Sequence, residues 1–197
     1  MKKNKAHDAT AFAFQKGQRV LLDANLWIYL LPPTSKPTPW FAKSYSGVLK
    51  RLLGAGTEAV VEALVLSEYM NRYWRLELSA WQRTNPALAA TFIDAKDRKF
   101  NEKNFRLSPH FKPIGAAAVA EAKQILKLCG VRDTPLHLAD MDDLLPEFGA
   151  GTIDFNDAVL AETCRLRGWK MLTHDKDMTV GGIDVITTNP KLLAACP

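Results

Sequence analysis

Asp23, Glu68, Asp157 and Asp175 are the residues of this sequence whose types and settings point to shared chemistry. Each stands beside an apolar run. Asp23 sits at the end of RVLLDAN, Glu68 follows EAVVEALVL after one serine, Asp157 lies in DFNDAVLAETCRLRG, and Asp175 ends WKMLTHD. Four like charges drawn together would raise one another's pKa and cost stability unless a cation offset the repulsion, so such a cluster makes sense as a hard-metal site. Magnesium or manganese is implied. An ion held by carboxylate oxygens and water can lower the pKa of a bound water for attack on phosphorus and stabilise the departing oxygen. No histidine or cysteine nucleophile is required, and His174, which alternates with Asp175 along a strand, should face away from it and reads as structural.

The elements around these acids must bring them to one place. Residues 19–25 form a short apolar run with polar flanks, which predicts a buried parallel strand. LWIYL can make about two helical turns before Pro32 and Pro33 stop it, and TSKPTP is a loop. A helix is expected over 40–53, closed by Gly54 and Gly56. A second strand is expected over 58–66, with Ser67 capping a helix that opens at Glu68. Residues 85–104 and 114–128 read as further helices, TPLHLA as a short strand, and MDDLLPEFG as a short helix. Asp154 and Gly168 should cap the two ends of one helix, after which WKMLTHD and DVITT are strands. Strands alternating with helices imply an α/β chain with a parallel sheet covered on both faces, whose ligand sites lie beyond the carboxyl ends of the strands.

At this point three blocks invite a family. LLDANLWIYL resembles the opening motif of PIN-domain proteins, LVLSEYMNR looks like their second motif, and DFNDAVLAETCRLRGWKMLTHDKDM looks like their closing motif of two aspartates. The resemblance implies a three-layer α/β/α fold with a central parallel β-sheet and magnesium-dependent ribonuclease activity, many bacterial members being VapC-like toxins held in check by a cognate antitoxin. By this resemblance Asp23, Glu68, Asp157 and Asp175 are the metal-binding and catalytic acids, Asn25 and Thr173 support them through hydrogen bonds, and Asp154 and Asp177 match less securely. It also implies a homodimer. The similarity covers roughly residues 19–190, so the chain divides into a tail, 1–18, and one domain, 19–197, with a helical insertion around 79–113 that a minimal toxin would not carry.

Plainer readings stand beside these. Asp and Asn are good turn formers at a strand end. Glu68 and Asp157 in first helical turns would complement the helix dipole, and an N-cap role fully accounts for Asp154. KDRKFNEKNFRLSPHFK sets Arg98, Lys99, Lys103 and Arg106 among Phe100, Phe105 and Phe111, a mix that could grip phosphates and stack on bases or equally be a solvated helix with its rings in the core. Arg72 and Arg75 follow Glu68 on its own helix and could line an approach to the metal. Lys2, Lys3 and Lys5 could extend an RNA footprint, though a mobile charged terminus is the plainer account.

Bulk properties set limits. With 197 residues, 47% of them apolar, a single core is the default, and no stretch reaches the roughly 20 apolar residues of a membrane span. The lysine-led start has no adequate signal-peptide core, so a cytoplasmic protein is expected. Cys129, Cys164 and Cys196 are odd in number and widely spaced, which supports neither a disulfide framework nor a zinc site. A net charge of +5 suits a polyanionic partner such as RNA. A haloacid-dehalogenase-like phosphatase would need a second aspartate where Asn25 stands. A DNA or flap-type nuclease, and a catalytically silent PIN-like nucleic-acid-binding module, remain the alternatives, since nothing in these residues reads a 2′-hydroxyl.

Overall fold

The computed structural model describes residues 2–132, 145 and 154–196. In chain order it contains β1 (Lys5–Asp8), β2 (Arg19–Leu22), α1 (Ala24–Leu30), α2 (Ala42–Gly54), β3 (Glu58–Glu62), α3 (Ala63–Thr84), α4 (Pro86–Ala90), α5 (Glu102–Leu107), α6 (Phe111–Leu128), β4 (Gly130–Arg132), α7 (Phe155–Arg167), β5 (Lys170–Leu172), β6 (Asp184–Thr187) and α8 (Pro190–Ala195). The strands form one sheet in the order β1-β6-β5-β2-β3-β4, and every pairing is parallel. With helices packed on it, the sheet is the middle layer of an α/β/α fold.

β2 lies inside the sheet because Val20, Leu21 and Leu22 are all fully buried, the continuous apolar pattern of a strand covered on both faces. From β2 the chain proceeds outward through β3 and β4 and then returns to β5 on the other side of β2. The order therefore reverses between β2 and β5. In open α/β sheets that reversal leaves a crevice at the carboxyl ends of the two strands, because the connections leave in opposite directions.

Several boundaries differ from the sequence expectations. β3 ends at Glu62 and α3 starts at Ala63, so Ser67 is not a cap and Glu68 stands in the second turn of α3, not the first. A uniformly apolar run does not distinguish a buried strand from a buried helix. The expected helix over 85–104 is broken into α4 and α5, joined by a turn whose arms meet at an Ile93–Phe100 antiparallel bridge. β4 was not anticipated. TPLHLA and MDDLLPEFG lie outside the described residues except for Leu145.

The lysine-rich start is no mobile terminus. Residues 5–8 form the edge strand β1 against β6, and the buried Asn4 side chain bonds the carbonyls of Met178 and Val180 and the N–H of Ile183. Residues 79–113 contain the end of α3, α4, α5 and the first residues of α6. Around them Trp74, Leu78, Phe105 and Ile114 form a small second core, with Phe100 and Phe111 packed against it. Phe105 thus lies in this core, with Phe100 and Phe111 packed against it. Among the described residues no helix is long and apolar enough to cross a membrane.

Candidate active site

The crevice between β2 and β5 is where Asp23, Thr173, His174 and Asp175 fall. Leu22 and Leu172 are register partners, and the Asp23 N–H donates to the Leu172 carbonyl at 3.1 Å, so the residues that follow each strand start side by side. Asp23 occupies the N-cap position of α1 but its side chain makes no cap bond. Its carboxylate faces β5 instead. Oδ2 accepts from Thr173 Oγ1 at 2.6 Å and from Asn25 Nδ2 at 2.6 Å. Thr173 Oγ1 in turn accepts the N–H of Asp175 at 3.0 Å, while Asn25 Oδ1 accepts that of His174 at 3.2 Å. Asp23, Asn25 and Thr173 are all buried, so one hydrogen-bonded unit ties the end of β2 to the turn that presents Asp175.

The other two acids come from helices. Asp157 is in the first turn of α7, which Asp154 caps by accepting the Asn156 N–H at 2.9 Å and Gly168 closes with φ 63°, the left-handed geometry of a helix C-terminus. Glu68 is on α3. The four acids act on one another electrostatically. Burial is the main cause that raises the Asp157 pKa to about 7, and the charges of Asp23, Asp175, Asp154 and Glu68 push the same way. Glu68 is raised first by burial and then by Asp23, Asp154 and Asp175, with Arg72 opposing. Asp23 is raised by burial and by Asp175, against the lowering effect of the Thr173 hydroxyl.

The structure thus brings Asp23, Glu68, Asp157 and Asp175 into one field, with Asn25 and Thr173 bonded to the first of them. Asp154 caps α7, as the sequence reading favoured, and its charge is felt at Glu68 and Asp157. Asp177 is different: its side chain is 75% exposed beside Lys176, and only its backbone N–H reaches the site, donating to Asp175 Oδ1 at 2.9 Å. Among the described residues no three Asp, Glu, His or Cys side chains stand close enough to hold a metal as they are. The acids share a field but not a finished ligand shell. The donor set nevertheless suits a hard divalent ion, since it is all carboxylate oxygen.

Of the six basic residues expected to contact nucleic acid, Arg72 and Arg75 line a groove of about 340 Å³ that begins at Glu68 and follows α3 to Ser79. Arg98, Lys99, Lys103 and Arg106 are exposed around α5, and Arg106 lies over the Trp74 ring, 5.8 Å from its centroid. Two contributors were missed in the sequence. Tyr45 on α2 places its hydroxyl 2.8 Å from His174 Nδ1 and accepts the Thr188 N–H at 3.0 Å, locking the turn after β5. Lys36, in the proline-rich loop, has its ammonium 5.9 Å from the Tyr29 ring centroid. A tyrosine on an amphipathic helix and a lysine in a loop carry no local signal of such roles. His174 lies beyond the end of β5, not on the strand as expected, and stacks on Phe41 at 4.1 Å between centroids.

A chain from the VapBC2 complex of Rickettsia felis, solved with a DNA fragment from its promoter, shares the fold at a TM-score of 0.50 and 12% identity, over 86% of this chain and 98% of that one. A Pyrobaculum aerophilum protein matches at a TM-score of 0.47 and 16% identity, over 90% of this chain and 95% of its own. No curated protein sequence matches the chain. The sequence profile of the PIN domain matches residues 20–181, which takes in β2 through β5 and all four acids and leaves out β1, β6 and α8. The chain belongs to the PIN-domain family.

Proposed function

We propose that this protein is a metal-dependent endoribonuclease of the VapC-like kind, and that Asp23, Glu68, Asp157 and Asp175 are its metal-binding and catalytic acids. The observation that carries the reading is the convergence of these acids at the crevice between β2 and β5, where Thr173 ties Asp23 to the turn of Asp175 and the charges of both are felt at Glu68 and Asp157. Buried carboxylates that raise one another's pKa are stabilised by a divalent cation, Mg²⁺ or Mn²⁺, among them. Such an ion supplies a water of lowered pKa and charge stabilisation for the departing oxygen of a phosphodiester.

The chain's own residues do the rest. Thr173 and Asn25 hold the Asp23 carboxylate in one orientation, and the Asp175 N–H to Thr173 bond fixes the neighbouring acid to the same unit. Asp154 keeps the first turn of α7, and so Asp157, in place. Arg72 and Arg75, along the groove from Glu68, offer cations to the substrate's phosphates. A cognate antitoxin and a homodimer belong to the same reading through the family resemblance. Copurification with the product of an adjacent small gene, and the mass in solution, test them.

The central test is cleavage of labelled single-stranded RNA and of the matching DNA with Mg²⁺ or Mn²⁺. The RNA should be cut. Asp23→Asn and Asp157→Asn should each lower the rate by about 10²-fold or more. Undiminished cleavage by either variant removes that residue from the mechanism, and faster cleavage of DNA transfers the enzyme to the DNA nucleases.

A further inference from the structure

We propose that Trp40 is a base-stacking platform at the edge of the active site, and that Lys36, in the same loop, takes a phosphate of the same unpaired nucleotide. The inference rests on the nuclease reading and adds to it a named subsite that selects single-stranded substrate.

Trp40 is 88% exposed, the largest exposure of any big apolar side chain among the described residues. A single exposed apolar residue is ordinary on a protein surface. Its neighbours are not. The Trp40 ring meets Phe41 edge-on at 5.8 Å, Phe41 stacks on His174 at 4.1 Å with an interplanar angle of 13°, and Tyr29 stands perpendicular to both Phe41 and His174 at 4.9 and 5.8 Å. His174 immediately precedes Asp175. Tyr29 in turn feels the charges of Asp175 and Asp23, so a continuous aromatic ladder leads from solvent towards the carboxylates, with Trp40 as its open last rung. Leu107, which is 79% exposed, has no such connection to the site.

Lys36 supplies the charge. Its ammonium lies 5.9 Å from the centroid of Tyr29, a ring of the same ladder. Burial and the nearby charge of Arg72 hold its pKa below the usual lysine value. Among the described residues neither Lys36 nor Arg72 has a carboxylate within ion-pairing distance. Two cations that feel each other, with no carboxylate ion-paired to either, make a favourable seat for phosphate oxygens. An aromatic face next to such a seat matches the repeat of a single nucleic-acid strand, a base followed by its phosphate.

The loop is built to hold this arrangement in advance. Pro32, Pro33, Pro37 and Pro39 restrict its backbone. Glu77 on α3 accepts bonds from Thr34 Oγ1 at 3.0 Å and from the Ser35 N–H at 3.1 Å, and the Tyr69 hydroxyl donates to the Leu31 carbonyl at 2.9 Å. Little ordering entropy is left for the substrate to overcome.

Binding to an eight-nucleotide single-stranded RNA is measured in an Asp157→Asn background, so that cleavage plays no part. Trp40→Ala should weaken binding by roughly 5- to 150-fold, the range for one stacked base, with Trp40→Phe close to the parent and Trp40→Leu as weak as the alanine variant. An abasic residue walked along the RNA should find one position that costs the parent the same factor and costs Trp40→Ala nothing more. Lys36→Gln should reduce the slope of log affinity against log salt by about 0.7. Thermal unfolding of these surface variants should match the parent. If Trp40→Ala and the parent bind intact and abasic RNA alike, the platform is refuted and the exposed indole belongs to a protein contact. Failure of the nuclease reading would register separately, as cleavage that Asp157→Asn does not reduce.

Discussion

Thr173 Oγ1 donates to Asp23 Oδ2 at 2.6 Å, joining two buried residues that lie 150 positions apart in the chain. The bond does two things at once. It aims the carboxylate at the crevice, and it opposes the rise in the Asp23 pKa that burial produces. Thr173→Val should therefore lower the cleavage rate by about 10- to 100-fold and move the acidic limb of the pH profile to higher pH, while Thr173→Ser should restore both. A valine variant with an unshifted profile would leave Thr173 with a packing role alone.

Asp157 predicts how the metal-free protein responds to pH. Its folded pKa, raised to about 7, lies above the ordinary aspartate value of 3.8. A group raised in this way contributes stability that is complete below the unfolded pKa and disappears as pH rises through the folded one. In chelator, the melting temperature should therefore decline between about pH 4 and 7, and the decline should be shallower in Asp157→Asn. Millimolar Mg²⁺ or Mn²⁺ at pH 7.5 should stabilise the parent more than the variant, because binding to the folded state alone raises its stability. Equal responses would separate Asp157 from the metal.

Tyr45 offers a test of positioning without touching an acid. Tyr45→Phe removes the hydroxyl shared by His174 Nδ1 and the Thr188 N–H, and should cost about 1–3 kcal/mol in denaturant unfolding. The rate should also fall, since the turn that carries Asp175 loses its brace. Full stability in the phenylalanine variant would show that water replaces the lost partner.

Arg72 should separate binding from chemistry. Arg72→Gln is expected to raise KM by about 10-fold or more, the scale of a lost charge-assisted hydrogen bond, with a smaller change in kcat. Its effect on Glu68 has a definite sign. Loss of the guanidinium removes the influence that lowers the Glu68 pKa.

Much of this site could be read from the chain because its acids sit at local landmarks. Asp154 and Gly168 delimit α7 by rules that act within a few residues, and Asp23 and Asp175 each follow a short apolar run. The misplaced start of α3 has the opposite origin. Nothing local ends β3 at Glu62, and its length is set by pairing with β2 and β4. β4 is three residues directly after a helix, and β1 is a polar edge strand without alternation, so neither carries a pattern of its own. Tyr45 joins the turn after β5 by tertiary packing, which spacing along the chain does not encode.

The partnership of β1 with β6 bears on how the protein can be handled. A fragment cut to the 20–181 span of the family match would discard both strands, and one cut at Arg19 would discard only β1. The latter would strip the Lys5–Asp8 ladder and the Ala9 N–H bond to Thr187, leaving the backbone of β6 uncovered along a sheet margin. Bare margins recruit strands from neighbouring molecules. Such a shortened protein should precipitate or form higher oligomers on concentration, whereas a solubility tag joined ahead of an intact Lys2 leaves β6 paired.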